Sequence, residues 1–349
     1  MRELWWVGAG RAEWRDGAEA PPPEAHEAIV RPIAVACCDL DVWTVRGEAP
    51  LPGPFRVGHE GVADVVAIGD AVRAVRVGDR FVVPFQISCG GCATCRRGRS
   101  DSCEAVPLMA MYGMAPLAGL DPGGFLADAV RVPYADAMLV PVPAALDPAA
   151  VASCSDNVVD GWRCVGPYAD ELAALDVADR RVLVVGHGSI GLYAAATAFA
   201  LGCTVDYVDT DAARLALARV IGANALDMPE PDRRLGRYPV TVSTRPDAAA
   251  LHAALRATWS GGVCTDAAVH FGRDVTMPLL AMYTRGVRYV TGRAPARAGL
   301  PHVLDLIASG RFDPAVVTQQ VLAWDDADVA WPAMTGKTVY VRDSAVSRA

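Results

Sequence analysis

Short apolar runs separated by turn residues fill the first part of the chain. Between residues 27 and 150, valine-rich stretches such as 27–35, 61–66 and 80–83 alternate with segments rich in glycine and proline. Runs of this length, bounded by turn residues, are typical of β-strands. This part of the chain is therefore predicted to be a mostly β domain with irregular loops.

The pattern changes near Arg180. R-V-L-V-V-G predicts a buried strand, an alanine-rich helix follows at 192–201, and a second strand at 204–209 precedes a helix that ends at Gly222. Further strand-like runs at 239–244, 261–266 and 286–292 are separated by helical stretches. Strands that alternate with helices predict a parallel, doubly wound sheet, so the fold class is α/β.

Composition narrows the class of protein. A chain of 349 residues with 52% apolar residues predicts a globular protein of two domains. Its net charge of −8, without a basic stretch, argues against a nucleic-acid partner. The N-terminus lacks a signal-peptide pattern, and the apolar run at 194–201 is too short to span a membrane. A cytoplasmic protein is expected, in which close spacing of some of the ten cysteines indicates metal binding or catalysis more often than disulfides.

Four cysteines lie close together in C-G-G-C-A-T-C-R-R-G-R-S-D-S-C at 89–103. Thiolates at this spacing can form a tetrahedral shell around Zn²⁺, and the intervening glycines permit tight turns. Nearby arginines would offset the charge of the thiolates. Four protein ligands leave no open position, so this zinc is predicted to be structural. Its ligands would be Cys89, Cys92, Cys95 and Cys103.

The segment G-H-G-S-I-G at 186–191 lies between a predicted strand and a predicted helix. Together with Asp209 at the end of the next strand, it has the full context of a dinucleotide-binding loop. The helix N-terminus would stabilise the phosphates, and Asp209 would bind the adenosine ribose and repel a 2′-phosphate. NAD is therefore favoured over NADP, although Arg214 could weaken that preference. The candidate cofactor-binding residues are Gly186, Gly188, Ser189, Ile190, Gly191, Asp209 and Arg214.

Together, C-C-D-L-D at 37–41, G-H-E at 58–60, the four-cysteine segment and the glycine loop resemble the zinc-containing medium-chain alcohol dehydrogenases. S-D at 155–156 and P-Y-A-D-A at 133–137 are similar to the formaldehyde-dehydrogenase-like branch. The resemblance implies a GroES-like catalytic domain at 1–157 and 296–349. A Rossmann NAD-binding domain at 158–295 would interrupt it. The protein would be a homodimer or homotetramer.

The resemblance also implies a catalytic zinc. Between residues 27 and 47 the chain matches the family without a gap, which puts Cys38 at the family's ligand position. Cys37 is then expected to be a small core residue, because neighbouring residues on a strand face opposite sides. His59 would be the second ligand, Glu60 beside it a transient ligand, and Asp41 is expected to orient His59 by a hydrogen bond.

The third ligand is expected where the first domain meets the second. Asp156 stands six residues before Trp162 of a glycine–aromatic pair, which is the family's spacing for this ligand. Cys154, two residues earlier, is the alternative, since both residue types bind zinc. Three protein ligands would leave the fourth position for substrate.

One stretch departs from the family. The family relays the substrate's proton through a hydroxyl residue and a histidine, but Leu40 and Trp43 stand at those positions and cannot carry a proton. General acid–base catalysis is typically worth roughly 10²–10⁴-fold in rate. Asp39 could replace the relay or could simply cap the turn. Ser155 or a chain of water molecules is a further alternative.

The expected function is therefore a zinc-dependent oxidoreductase. It would transfer hydride between NAD(H) and an alcohol, aldehyde or ketone, with zinc lowering the pKa of the alcohol so that the alkoxide releases hydride. Two zinc ions per chain are expected, one catalytic and one structural. The missing relay leaves two alternatives, a reductase of activated C=C or C=N bonds and a catalytically silent NAD-binding protein of the same fold.

Overall fold

The computed structural model describes residues 1–117, 119–230, 235–271 and 274–342. The chain divides into two compact units. The first contains Met1–Val159, Pro295–Ala308 and the chain from Thr318 onward, and the second contains Asp160–Ala294 and Ser309–Val317. The end of the domain segment predicted at 296–349, residues 343–349, lies outside the described residues.

Short strands predominate at both ends of the chain, and longer helices lie between strands in its middle. In chain order, the strands of the described residues are β1 (Arg2–Gly8), β2 (Arg11–Asp16), β3 (Ala28–Ala36), β4 (Phe55–Arg56), β5 (Glu60–Ile68), β6 (Arg80–Val83), β7 (Val130–Val132), β8 (Val140–Pro141), β9 (Arg181–Val185), β10 (Thr204–Asp209), β11 (Asn224–Asp227), β12 (Tyr238–Ser243), β13 (Thr258–Asp266), β14 (Arg288–Thr291), β15 (Gln320–Ala323) and β16 (Thr338–Val341).

The α-helices of the described residues range from 4 to 13 residues in length. In chain order they are α1 (Asp39–Val45), α2 (Ala93–Arg96), α3 (Ala135–Met138), α4 (Pro148–Val151), α5 (Asn157–Arg163), α6 (Ala169–Ala173), α7 (Gly188–Ala200), α8 (Ala212–Ile221), α9 (Ala248–Ala257), α10 (Leu279–Arg285), α11 (Ala296–Ala308) and α12 (Ala327–Ala330). None of the helices in the described parts of the chain combines the length and the apolar character needed to cross a membrane.

The first unit is organised around a seven-stranded sheet. Its strand order is β15-β16-β3-β5-β6-β8, and β7 also pairs with β3. Ala36 at the end of β3 lies opposite Glu60 on β5 and Val339 on β16, in antiparallel register on both sides. This register brings the end of β3, the start of β5 and the start of β16 to one place. The smaller sheet β2-β1-β4 belongs to the same unit.

The second unit contains a six-stranded parallel sheet in the order β11-β10-β9-β12-β13-β14. This is the doubly wound order in which ligands bind beyond the carboxyl ends of the strands, at the point where the order reverses. Here that point lies between β9 and β12. The parallel sheet confirms the predicted fold class.

Each unit has its own apolar core. In the first, Val35, Phe125 and Trp331 belong to a large buried cluster, and in the second Leu183, Leu255 and Cys264 pack between the sheet and its helices. Each core is therefore built from the strands and helices of its own unit.

Two element boundaries differ from the predictions. Helix α7 begins at Gly188, four residues before the predicted start, because the glycine loop is itself the first turn of the helix. Strand β3 ends at Ala36, so Cys37 and Cys38 lie beyond it and the residues predicted as a turn form α1. Alternation along a strand was therefore the wrong reason for separating the two cysteines.

Candidate functional site

Cys38 is positioned by the start of α1. It is the N-cap of this helix: its Sγ accepts a hydrogen bond from the Leu40 N–H at 3.2 Å. Asp41 completes the cap, because its Oδ2 accepts from the Cys38 N–H at 2.8 Å. Cys37 belongs to the apolar core, as predicted, and its N–H donates to the carbonyl of Thr338 at 2.9 Å.

Four side chains converge beside this helix start. One ligand atom from each of Cys38, His59, Glu60 and Asp156 lies within 4.8 Å of the others, and all four residues are buried. His59 and Glu60 lie at the start of β5, and Asp156 follows a short turn of 3₁₀ helix at Ala152–Ser155. Cys154 is buried outside this cluster, so the structure brings Asp156 to the other three side chains.

The donors of this cluster fit a zinc ion. Both ring nitrogens of His59 and Oε1 of Glu60 are buried and have no hydrogen-bond partner among the described residues. His59 Nε2 lies 3.6 Å from Asp156 Oδ2, too far for a hydrogen bond. Buried polar atoms without partners are costly, and thiolate, imidazole and carboxylate are the ligands zinc prefers. A cation bound here would give one of the two ring nitrogens of His59 a partner.

The electrostatics of the cluster lead to the same conclusion. Burial raises the pKa of the Cys38 thiol to about 12, although His59 opposes this shift. Burial opposes protonation of His59, but Cys38 and Asp41 raise its pKa well above the ordinary value. A divalent cation bound in this cluster would favour the thiolate form of Cys38 over its thiol.

The hydrogen bond expected from Asp41 to His59 is not formed. His59 Nδ1 and Asp41 Oδ1 are 3.7 Å apart. The physical reason is that the Asp41 carboxylate caps the start of α1, where it accepts from the Cys38 N–H. Asp41 therefore positions the cysteine by hydrogen bond and affects His59 only through its charge.

The candidates for proton transfer are placed differently from one another. Asp39 is the first residue of α1 and is partly exposed. Ser155 is buried, and its hydroxyl donates to the carbonyls of Val83 and His59. Leu40 and Trp43 lie on α1, partly buried. Of the two side chains with a titratable or hydroxyl group, only that of Asp39 reaches solvent.

Aromatic residues surround part of the cluster. The rings of His59 and Phe85 have centroids 6.3 Å apart and meet edge to face. Tyr112, by contrast, is fully buried, packs on Phe125 and donates its hydroxyl to the carbonyl of Arg131 at 2.8 Å. Phe85 therefore lies near the cluster, whereas Tyr112 is a core residue.

One residue near the cluster has no counterpart in the sequence predictions. Lys337 precedes β16, and its Nζ donates to Oε2 of Glu60 at 2.6 Å. Ser153 Oγ donates to the same oxygen at 2.8 Å. The sequence holds a cue to this residue, because Lys337 is its only lysine. Only the pairing of β16 with β3, however, brings it to Glu60.

The four-cysteine segment forms a second cluster in the same unit. The sulfur atoms of its cysteines lie within 4.8 Å of one another, and Cys92 Sγ is 4.0 Å from Cys103 Sγ. Backbone N–H groups of Cys89 and Glu104 donate to these sulfurs. A hydrogen bond with Thr94 and two backbone N–H groups lower the pKa of Cys92 to about 5. Thiolates held this way fit a zinc ion.

The sequence suggested that the arginines of this segment offset the charge of the thiolates, but the structure gives two of them other partners. Arg99 forms two hydrogen bonds to the carboxylate of Asp101, at 3.0 and 2.7 Å. Arg96 donates to the carbonyl of Gly91. Backbone N–H donors therefore stabilise the thiolates directly, whereas the charge of Arg99 is balanced by the carboxylate of Asp101.

The glycine loop is shaped by close packing on its neighbours. A Cβ on Gly186 would lie 2.4 Å from Cζ of Tyr207, and one on Gly191 would lie 2.8 Å from Oγ1 of Thr244. Gly188 has a φ of +66°. Thr244 Oγ1 also accepts from the His187 N–H at 2.8 Å, which fixes the loop. Ser189 and Ile190 follow in the first turn of α7.

Asp209, at the end of β10, is held by several donors. Arg214 Nε and Nη2 donate to its two oxygens at 2.7 and 2.9 Å, and the Tyr207 hydroxyl donates at 2.9 Å. The N–H groups of Thr210 and Asp211 complete the set. Burial opposes ionisation of Asp209, but these donors lower its pKa below the ordinary value. Sequence reasoning missed Tyr207 and Thr244, whose roles depend on contacts across the sheet.

Comparisons with known proteins fall on both units. The profile of the alcohol dehydrogenase GroES-like domain matches residues 24–144, and that of the alanine dehydrogenase/PNT C-terminal domain matches residues 172–258. A Mycobacterium tuberculosis protein named "Probable zinc-binding alcohol dehydrogenase" is 29% identical over 338 residues, which cover 94% of this chain and 83% of the relative. A medium chain reductase/dehydrogenase of Acremonium sp is 32% identical over 204 residues, 58% of this chain and 67% of the relative.

A solved structure is similar over nearly the whole length. Alcohol dehydrogenase TADH from Thermus sp. ATN1 superposes with a TM-score of 0.88 at 25% identity, covering 98% of this chain and all of that chain. The similarity in fold therefore includes the segments that carry both cysteine clusters and the glycine loop.

Proposed function

Since the chain belongs to the zinc-containing medium-chain alcohol dehydrogenase family, we propose that Cys38, His59 and Asp156 hold the catalytic zinc of this NAD(H)-linked oxidoreductase. The observation that carries the proposal is the buried cluster, in which both nitrogens of His59 lack a partner among the described residues. When bound, zinc supplies positive charge that polarises a carbonyl or lowers the pKa of an alcohol hydroxyl. Three protein ligands leave one position open.

The surrounding residues orient the ligands of this cluster and exclude water from one side of it. Asp41 and the N-terminus of α1 orient Cys38, and the apolar ring of Phe85 beside His59 keeps water from that side. With Leu40 and Trp43 in place of the usual relay, we propose that the substrate proton leaves through Asp39 and water. The partial exposure of Asp39 supports this route.

Asp156 and Cys154 provide the direct test. In Asp156→Asn, a neutral amide replaces a charged ligand, so zinc content should fall from two to one per chain and alcohol oxidation by at least about a hundredfold. Cys154→Ala, at the buried neighbour outside the cluster, is the matched control and should keep both zinc ions and most of the activity. Full activity of Asp156→Asn, or loss of zinc in Cys154→Ala instead, would reject this ligand set.

A structural zinc is proposed for the four-cysteine segment. Its support is the set of four sulfurs within 4.8 Å and the backbone donors around them. Four thiolates complete a tetrahedral shell and leave no position for substrate. The chain would thus bind one catalytic and one structural zinc.

NAD is proposed as the preferred cofactor. Asp209 is ionised, and a 2′-phosphate placed beside it would be repelled. Two nitrogens of Arg214 are committed to Asp209, and Nη1 lies 3.7 Å from Asp211, so the guanidinium is already balanced by carboxylates. We expect kcat/KM to be higher with NAD than with NADP, and Asp209→Asn to narrow the ratio. An unchanged ratio in that variant would remove Asp209 from cofactor selection.

A homodimer is proposed through the edge of the parallel sheet. β14 is an edge strand, and exposed apolar side chains lie on it and on α10, which precedes it in the chain. They are Leu279, Leu280, Tyr283 and Val290. An unpaired strand edge beside apolar residues is suited to pairing with a second copy. Tyr283→Glu should shift sedimentation toward the monomer, while Val329→Glu, at an exposed position in the other unit, should not.

A cytoplasmic location is proposed on the state of the thiols. None of the ten cysteines forms a disulfide in the structure. Thiolate ligands persist where disulfides do not form. Fractionation of the source cells with an antibody to the chain would test the location directly.

A further inference from the structure

A cleft of about 440 Å³ lies beside the four-cysteine segment, within the first unit. One wall is formed by this segment and the residue before it, and includes Ser88 and Ser100. The other wall is formed by α3 and by Arg297 in the first turn of α11. Of the described residues that line the cleft, none belongs to the buried cluster or to the glycine loop. The cleft is therefore separate from the proposed catalytic and cofactor sites.

Arg297 lines this cleft without a charged partner. Its Nε donates to the carbonyl of Ala137 at 2.6 Å, and no carboxylate of the described residues forms an ion pair with it. Burial lowers the pKa of Arg297, but a guanidinium remains protonated in proteins. The cleft therefore contains a positive charge that the rest of the described chain does not balance.

The position of Arg297 on its helix adds to this charge. Arg297 is the second residue of α11, a helix of 13 residues with no acidic residue in its first turn. The N-terminus of a helix carries partial positive charge, so that carboxylates are favourable there and arginine is favourable at the opposite end. An anion bound beside the first turn of α11 would therefore stabilise both the helix end and Arg297.

Two serine hydroxyls on the other wall have no partners. Ser88 is 1% exposed and Ser100 is 6% exposed, and neither Oγ has a hydrogen-bond partner among the described residues. A buried hydroxyl left unsatisfied costs free energy, and each can donate one hydrogen bond. The wall formed by the four-cysteine segment thus supplies two unused donors to the same cleft as Arg297.

One carboxylate also lines the cleft, and its contacts limit its effect. The Oδ2 and Oδ1 atoms of Asp136 accept hydrogen bonds from the N–H groups of Arg73 and Ala74, at 2.8 and 2.9 Å. Asp136 does not pair with Arg297. Its charge would repel a large anion that filled the whole cleft, so a small anion bound on the side of Arg297 fits best.

We propose that this cleft binds a small oxyanion, a phosphate or carboxylate group, through the guanidinium of Arg297 and the hydroxyls of Ser88 and Ser100. Because Nε is bonded to Ala137, the two terminal nitrogens of Arg297 are left to donate to the anion. Arginine suits this role, since its planar fork matches the oxygens of phosphate and carboxylate. The bound anion would join the four-cysteine segment to α11. The site requires neither the catalytic zinc nor NAD, so it goes beyond the proposed function.

The test measures the binding of inorganic phosphate to the purified protein by isothermal titration calorimetry at constant ionic strength. Arg297→Met should weaken binding at least about tenfold, because it removes both the charge and the forked donor. Arg297→Lys keeps the charge but not the fork and should lie between the two. Arg97→Met removes an exposed arginine of the four-cysteine segment that does not line the cleft. This matched control should bind phosphate as the wild type does.

Three further measurements complete the test. Acetate in place of phosphate separates the two kinds of oxyanion, and binding of either that depends on Arg297 supports the proposal. Phosphate should also raise the midpoint of thermal unfolding of the wild type and leave that of Arg297→Met unchanged, since a ligand stabilises only a protein that binds it. Ser100→Ala should weaken binding about tenfold, because a hydrogen bond to a charged group is lost.

The design separates this site from other sources of phosphate binding and from misfolding. Phosphate bound at the glycine loop would contribute equally to all the proteins, so only the part that depends on Arg297 counts. Circular dichroism reports folding, and if Arg297→Met does not fold, Ser100→Ala decides in its place. Binding of neither phosphate nor acetate, or equal weakening in Arg297→Met and Arg97→Met, would overturn the proposal and leave the proposed function untouched.

Discussion

The two clusters of candidate metal ligands in this chain are built in opposite ways. The four-cysteine cluster comes from one stretch, 89–103, and its sulfurs are held by N–H groups of the same stretch and of Glu104. The buried cluster combines Cys38, His59, Glu60 and Asp156, brought together by β3, β5 and the segment before α5. One cluster needs only its loop, whereas the other needs the folded sheet.

The two clusters differ in burial and in the types of ligand atom they contain, and these differences suit different roles for a bound metal. Three cysteines of the first cluster are partly exposed, and its four equivalent thiolates suit a closed shell. The second cluster is buried, mixes sulfur, nitrogen and oxygen donors, and includes a carboxylate restrained by Lys337. Under the proposed function, three side chains of this cluster bind zinc and leave one position open, which a set of four thiolate ligands cannot do.

The largest effect is expected from Cys38→Ser. Loss of the thiolate should remove the catalytic zinc and reduce kcat/KM for alcohol by at least about a thousandfold, because a metal ion contributes several kcal/mol of transition-state stabilisation. Elemental analysis should show zinc falling from two to one per chain, with the 89–103 site retained. Two zinc ions in Cys38→Ser would place the active metal elsewhere.

Cys92→Ser should have the reverse profile. Removing one thiolate from the exposed cluster should cost about 3 kcal/mol of stability, or roughly 6–12 °C in the midpoint of thermal unfolding, since structural zinc contributes to folding. At temperatures where the variant remains folded, its kcat should differ from that of the wild type by less than about twofold. Cys203→Ala, distant in sequence from both clusters, is the control and should keep both zinc ions. A large loss of kcat in Cys92→Ser would break the division between the two sites.

Alkylation of metal-free protein should distinguish the clusters by pH. With its pKa lowered to about 5, Cys92 is a thiolate at pH 7, whereas Cys38, with its pKa raised to about 12, is a buried thiol. Labelling of Cys92 by iodoacetamide should be more than about a hundredfold faster at pH 7 and nearly constant above pH 6. Labelling of Cys38 should rise with pH up to 9. Peptide mass spectrometry over pH 5–9 measures both, and equal rates would contradict the contrast.

The smallest effect is expected at the neighbour of the catalytic ligand. Cys37 lies in the apolar core, so Cys37→Ala should cost about 1 kcal/mol of stability from the small cavity it leaves. Zinc content and kcat/KM should stay within about twofold of the wild type. Urea unfolding and elemental analysis make the measurement, and loss of zinc in this variant would exchange the roles assigned to the two cysteines.

Much of this protein could be predicted from local patterns. The alternating strands and helices gave the parallel sheet, because apolar periodicity reports which residues a sheet or helix buries. The cysteine spacing and the glycine loop were visible for the same reason: their atoms come together within a few residues. α1, predicted as a turn, shows that a helix boundary can depend on a cap of one or two hydrogen bonds, whereas α7 starts at Gly188 without a side-chain cap.

Local patterns in the sequence therefore predicted the fold class, the four-cysteine cluster and the glycine loop at 186–191. Only the tertiary structure brought Asp156 rather than Cys154 to His59 and carried Lys337 across β3 to Glu60. The physical reason is separation along the chain. Contacts between residues as far apart as Glu60 and Lys337 exist only once β16 has paired with β3, and no hairpin turn joins these two strands to set their register.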